Sequence, residues 1–146
     1  MSIKSILQQK GSTVFQIQPD KPLCDCINLL NEKRIGALMV IDKENNIHGI
    51  ISERDILRAA FDAEGQICDM LVKDIMTPKD KLITATTEDK IEAIMKIMTN
   101  NKIRHIPIVD NEKLLGIVSI GDIVKMLLND AVTENKHMNN YISGGY

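Results

Sequence analysis

A chain of 146 residues, 44% of them hydrophobic and with a formal net charge of −2, is long enough for one globular unit or for two small halves sharing a core. Two Phe, two Tyr and no Trp leave too little aromatic surface to stack single-stranded bases, and the lack of a basic block argues against duplex DNA or an anionic membrane as partner. The longest apolar run, residues 35–41, is too short to cross a bilayer, and the opening MSIKSILQQKG lacks the apolar core of a signal peptide, so a cytoplasmic protein is expected.

In chain order, IKSILQQKG reads as a helical lead-in. A short extended piece follows near Val14–Ile17. Asp20 is a candidate helix cap with Pro22 in the first turn, and Leu23, Ile27 and Leu30 recur at helical spacing. ALMVID is a continuous apolar run, as expected of a strand buried on both faces. KENN is a turn, IHGIIS the returning strand of a hairpin, and Ser52 opens a helix carrying Ile56, Leu57 and Ala60. A second lead-in within ICDMLVKDIM is followed by the same order again. Thr87 is the candidate cap. Ile91, Ile94, Met95 and Met98 form the apolar stripe, HIPIVD and LLGIVS the hairpin, and Ser119 opens the last helix with Ile123, Val124 and Leu127 inward. The Met stripe reads as core packing. Pro107 inside HIPIVD lacks a ladder N–H, so that strand should be an edge or present its N–H side at that point to nothing.

The two stretches are copies of one unit, offset by 68 residues up to Asp42 and Asp110 and by 67 after the turn. Each predicts the order β-α-β-β-α, a mixed α/β (α+β) fold. The expected divisions are residues 1–62, a linker at 63–71, residues 72–130 and a C-terminal tail at 131–146. A unit of roughly 55 residues buries too little surface to be comfortably stable alone. Two such units paired through their sheets would be related by an approximate twofold axis.

The chemistry concentrates in GIISERDI and GIVSIGDI. In each, a strand delivers the chain into a helix whose first N–H groups and partial positive charge suit a phosphate. Ser52 and Ser119 add hydroxyls. Asp55 and Asp122 add two-oxygen acceptors that match the paired hydroxyls of a ribose and would repel a 2′-phosphate. Gly49 and Gly116, in mid-strand, admit close approach to the backbone. The competing reading is a plain capping box, Ser at the cap and an acid three residues on. Arg104 and His105, where the first copy has Gly36 and Ala37, bring two basic side chains to the start of a buried strand. They need an anion, a carboxylate partner or solvent.

No catalytic constellation is visible: no G-x-S-x-G, HExxH, Walker A or GxGxxG, and three scattered His without metal-ligand spacing. No catalytic residue, metal ligand or tightly held cofactor is therefore assigned. Cys24, Cys26 and Cys68 are odd in number and without a CxxC pair, and are read as reduced thiols filling small spaces. The tail holds both tyrosines, Tyr141 and Tyr146, which either dock on the body or a second subunit or belong to a frayed end.

VKDIMTP, IRHIPIVD and LLGIVSIGDI, with their counterparts IKSIL, IGALMVID and IHGIISERDI, resemble CBS domains, and the chain as a whole resembles a stand-alone CBS pair, or Bateman module. That resemblance implies two pseudo-symmetric composite clefts for adenosyl ligands such as AMP, ADP, ATP, NAD or S-adenosylmethionine, in a flat homodimer that regulates a partner protein. By this analogy one cleft joins Val14, Phe15, Ile35, Gly36 and Ala37 to Ser119 and Asp122. The other joins Leu82, Ile83, Ile103, Arg104 and His105 to Ser52 and Asp55. The first copy has Met39 where the second has Pro107, which implies unequal clefts. The alternatives are a structural or interaction module with empty clefts, in which both serines merely cap helices, and an enzyme.

Overall fold

The computed structural model describes residues 2–11 and 13–142. It divides into two compact units, residues 13–83 and residues 1–12 with 84–146.

In the first of these, β1 (Gln16–Ile17) lies parallel to β2 (Ala37–Ile41), which pairs antiparallel with β3 (Ile47–Ser52), which pairs antiparallel with β4 (Thr77–Pro78). Every residue of β2 is buried, as its unbroken apolar run requires. Helix α2 (Leu23–Lys33) buries Leu23, Cys26 and Leu30. These join Ile17, Leu38, Val40, Ile51 and Val72 in one apolar cluster. Helix α3 (Glu53–Asp62) follows β3, and a one-turn helix α4 (Val72–Ile75) precedes β4 and a 3-10 turn at Lys79–Lys81.

The other unit holds α1 (Ile3–Lys10), α5 (Ile91–Asn101), the hairpin β5 (His105–Asp110) with β6 (Lys113–Ser119), and α6 (Ile120–Ile142). Its buried side chains include Ile3, Ile6, Ile94, Met98, Ile106, Ile108, Val118 and Ile123. The strand expected before α5 is reduced to one parallel bridge, Ala85 to Ile108. The side of β5 that carries the Pro107 nitrogen meets only this bridge. Ala85 N–H donates to the Pro107 carbonyl and Val109 N–H to the Ala85 carbonyl, so the missing N–H interrupts no ladder.

Both repeats turn from helix to strand by the same device. Arg34 and Lys102 adopt left-handed backbone at φ 54, and the next residues, Ile35 and Ile103, donate back to Leu30 and Met98 carbonyls at 3.1 and 3.0 Å. The hairpins differ as the one-residue change in offset requires. Asn111 and Glu112 make a two-residue turn with both φ positive. In the first hairpin Asp42 accepts from the N–H groups of Glu44 and Asn46.

Several expectations are corrected. Asp20 does not cap α2: Pro22 stands at that position without a side-chain bond, and Asp20 pairs with Lys73 at 2.9 Å. Nor does Thr87 cap α5, whose cap residue is Lys90. Thr87 instead donates to Asp110. In α3, Ala59 is buried and Leu57 is 72% exposed; in α6, Met126 is buried and Val124 lies outward. The buried face of α6 lies a fraction of a turn from the expected one, with flexible Met126 beside Ile123 at the inner positions. Helix α6 continues through residues expected as a tail. Tyr146 lies outside the described residues, and so does the side chain of Tyr141. Cys24 and Cys68 are joined in a disulfide, which corrects the reading of three reduced thiols. Cys26 is the free cysteine and is buried.

The lead-in helices are exchanged relative to chain order. Helix α1, which precedes the first repeat, packs on β6 and α6 in the unit of the second, while α4 and β4 pack on α3 and β3 of the first.

Candidate functional site

The strand-to-helix turn is built alike in both units. Ala37 lies opposite Ser52 on the β2–β3 ladder, and the Gly36 carbonyl accepts from Glu53 N–H at 3.0 Å. His105 lies opposite Ser119 on the β5–β6 ladder, and the Arg104 carbonyl accepts from Ile120 N–H at 2.9 Å. Residues 36 and 104 therefore sit directly beside the starts of α3 and α6. Phe15, whose carbonyl accepts from Met39 N–H at 3.3 Å, lies beneath Lys33, with the ammonium 5.5 Å from its ring centroid.

Both acidic residues turn back onto their own helix. Asp55 Oδ2 accepts from Ser52 N–H at 2.9 Å and from Ser52 Oγ at 3.1 Å, while Asp55 N–H donates to Ser52 Oγ. This is a reciprocal capping box. Asp122 Oδ2 accepts from Ser119 N–H at 2.8 Å, and Asp122 N–H donates to Ser119 Oγ at 3.1 Å. The structural half of the competing reading is thus correct: both pairs cap helices. Capping engages Oδ2 in each case, and a carboxylate offers a second oxygen.

The two turns differ in charge. Lys10, at the end of α1, places its Nζ 2.7 Å from Asp122 Oδ2 and 2.6 Å from the Ile117 carbonyl oxygen. Burial alone would raise the Asp122 carboxyl, but the lysine and the Ser119 bonds together hold it below the usual carboxylate range. The sequence reading missed Lys10 because the contact spans 112 residues. Aligning IKSILQQK with VKDIMTPK places Lys10 opposite Lys79, which marks the position without indicating its partner.

Gly49 and Gly116 admit the protein's own chain. A Cβ at Gly49 would meet the Thr77 carbonyl oxygen, with Pro78 Cα at 3.2 Å, and one at Gly116 would meet Leu7 Cδ2 at 2.7 Å. Arg104 is exposed, so solvent satisfies its charge. Val14, Ile35, Gly36, Leu82, Ile83 and Ile103 are partly buried and Ala37 fully. An open pocket of about 420 Å³ lies between α2 and α3, lined by Ile27, Leu30, Asn31, Arg34, Ile35, Glu53 and Ile56. Of the candidates named from sequence, Ile35 alone lines it.

The repeated hairpin, with a capped helix leaving each return strand, is the architecture that the sequence resemblance implied. The CBS domain family model matches residues 11–62 and 72–129. The chain belongs to the CBS domain family. It is 34% identical over 151 aligned positions to the mitochondrial CBS domain-containing protein CBSX3 of Arabidopsis thaliana, covering 99% of this chain and 73% of that one. It superimposes at a TM-score of 0.82, with 34% identity, on a putative signal-transduction protein with CBS domains from Burkholderia ambifaria, covering 89% and 96% of the two chains. A CBS pair solved in complex with 5′-methylthioadenosine and S-adenosyl-L-methionine shares the fold at a TM-score of 0.74 and 22% identity, over 89% of this chain and 98% of that one. No helix among the described residues is long and apolar enough to cross a membrane.

Proposed function

We propose that this CBS pair is a non-enzymatic, cytoplasmic sensor that binds adenine nucleotides such as AMP, ADP or ATP and regulates a partner protein. NAD and S-adenosylmethionine are the further candidates. The observation that carries the reading is the Ser119–Asp122 turn. There, strand, helix start, hydroxyl and carboxylate converge, and the Asp122 side chain keeps 22% of its surface exposed. Its second oxygen can accept from one ribose hydroxyl while the first swings from Lys10 to accept the other. The complex of a CBS pair with two adenosyl compounds supports the ligand class. Ser52 and Asp55 form the corresponding turn of the first repeat. Val14, Phe15, Ile35, Gly36 and Ala37, with Leu82, Ile83, Ile103, Arg104 and His105, are the proposed lining for base and phosphate.

We place the protein in a homodimer. Leu57 and Phe61 of α3 are 72% and 86% exposed, and α6 exposes Val124, Leu128 and Val132 at four-residue spacing. Exposed apolar side chains in such rows mark surfaces that another chain covers. Native mass spectrometry of freshly purified protein, with AMP, ATP or S-adenosylmethionine added, tests both statements. The expected spectrum is a dimer carrying an adenosyl mass. A monomer that takes up none of these compounds would favour the structural module with empty clefts.

A further inference from the structure

We propose that Lys10 makes the Ser119–Asp122 site selective for adenosyl ligands that carry a 5′-phosphate. Resting on the reading of Asp122 as the ribose-binding group, the inference adds a residue and a chemical preference to it.

The geometry places one ammonium over the whole strand-to-helix turn. Lys10 Nζ donates to the Ile117 carbonyl, two residues before Ser119, and to the Asp122 carboxylate. Its own side chain is 39% exposed, so neither its charge nor its reach is confined. A ligand whose ribose hydroxyls accept Asp122 as partner must take the place of this lysine. The ammonium then loses its carboxylate contact while still held close by α1. A phosphate on the same ribose is a strong acceptor within the span of a four-carbon stem, and it restores the lost charge pair. Adenosine gives no such compensation. The sulfonium of S-adenosylmethionine meets a like charge.

The first repeat shows why this device is local to one site. Its aligned lead-in carries a lysine as well, Lys79, but Pro78 stands where the other lead-in has Gln9. Proline cannot continue the hydrogen-bonded turn. Helix α4 therefore ends at Ile75, and Lys79 opens a 3-10 turn. Helix α1 runs two turns without interruption to Lys10. Asp55 takes its bonds from Ser52.

The experiment is calorimetric titration of the full chain with AMP and with adenosine, which differ only in the phosphate. It compares the wild type, Lys10→Met, Lys10→Arg and Asp122→Asn. Met keeps an unbranched side chain of similar length without the charge, and Arg restores the charge. Loss of a charge-assisted contact predicts that Lys10→Met lowers the ratio of AMP to adenosine affinity by about tenfold or more. Lys10→Arg should keep that ratio, and Asp122→Asn should weaken both ligands. An unchanged ratio in Lys10→Met overturns the role of Lys10 while leaving the site intact. A wild type that binds neither AMP nor adenosine overturns the site reading, and the inference with it.

Discussion

At the scale of single residues, the serine–aspartate pairs cap both helices, and the ribose clamp is the proposed second use of the same motif. A helix cap and a ribose clamp both want a short acceptor at the mouth of a helix. The capping box was legible in the spelling Ser-x-x-Asp and is present in both repeats. Lys10 was not legible as its partner, because nothing local in IKSILQQKG announces a carboxylate more than a hundred residues away. A different residue pair tests the electrostatics. Asp42 is held at about 2, chiefly by the His48 ring 2.8 Å away and next by Asn46 N–H. Its folded-state pKa lies below the unfolded value of roughly 3.9, so its contribution is present above pH ~4 and is lost as pH falls toward about 2. The Asp42 side chain is 22% exposed in a surface turn, where solvent screens the pair, and the effect is small. Replacing it with Asn should flatten the acid limb of the thermal stability profile below pH ~4, while an unaltered limb would show that the turn owes nothing to this charge.

At the scale of elements, hydrophobic pattern and turn chemistry located both hairpins and all four long helices, because each repeats a strong period. The buried β2 run and the Leu23–Leu30 stripe needed no tertiary information. What the pattern could not supply was partner choice. IKSIL and VKDIM look like lead-ins to the repeats that follow them, yet each packs in the unit of the other repeat. Only the β3–β4 pairing of Gly49 with Pro78 and the approach of Leu7 to Gly116 reveal this. The Cys24–Cys68 bond belongs to the same class. Forty-four residues separate the sulfurs, and the backbone bond from Leu23 N–H to the Met70 carbonyl brings their segments together. Alkylation of protein purified and unfolded without reductant should label Cys26 alone, and all three cysteines after reduction. Reduction should also lower the folding stability by roughly 2–4 kcal/mol, from the release of the closed loop. Three labelled thiols before reduction would contradict the bond. Inside the folded protein Cys26 should stay inert, because burial, with the Asp55 charge adding to it, pushes its thiol to about 11.

For the whole molecule, duplication explains the size and the repetition of motif. Each repeat alone is a marginal unit, and each completes its packing with a lead-in helix from elsewhere in the chain. The copies have since diverged at Pro78 and Gln9 and at Met39 and Pro107, so equivalent turns carry different charges. Regulation by such a pair requires a ligand that distinguishes two arrangements of the protein. The first requirement is therefore binding at the turn itself. The most direct measurement is calorimetry of AMP against the wild type and Asp122→Asn. This substitution leaves one side-chain oxygen to accept from Ser119 N–H, so the helix start survives while the charge is lost. The account predicts that AMP affinity falls by about tenfold or more, as expected for a charge-assisted bond to ribose. Equal affinities in the two proteins would contradict it.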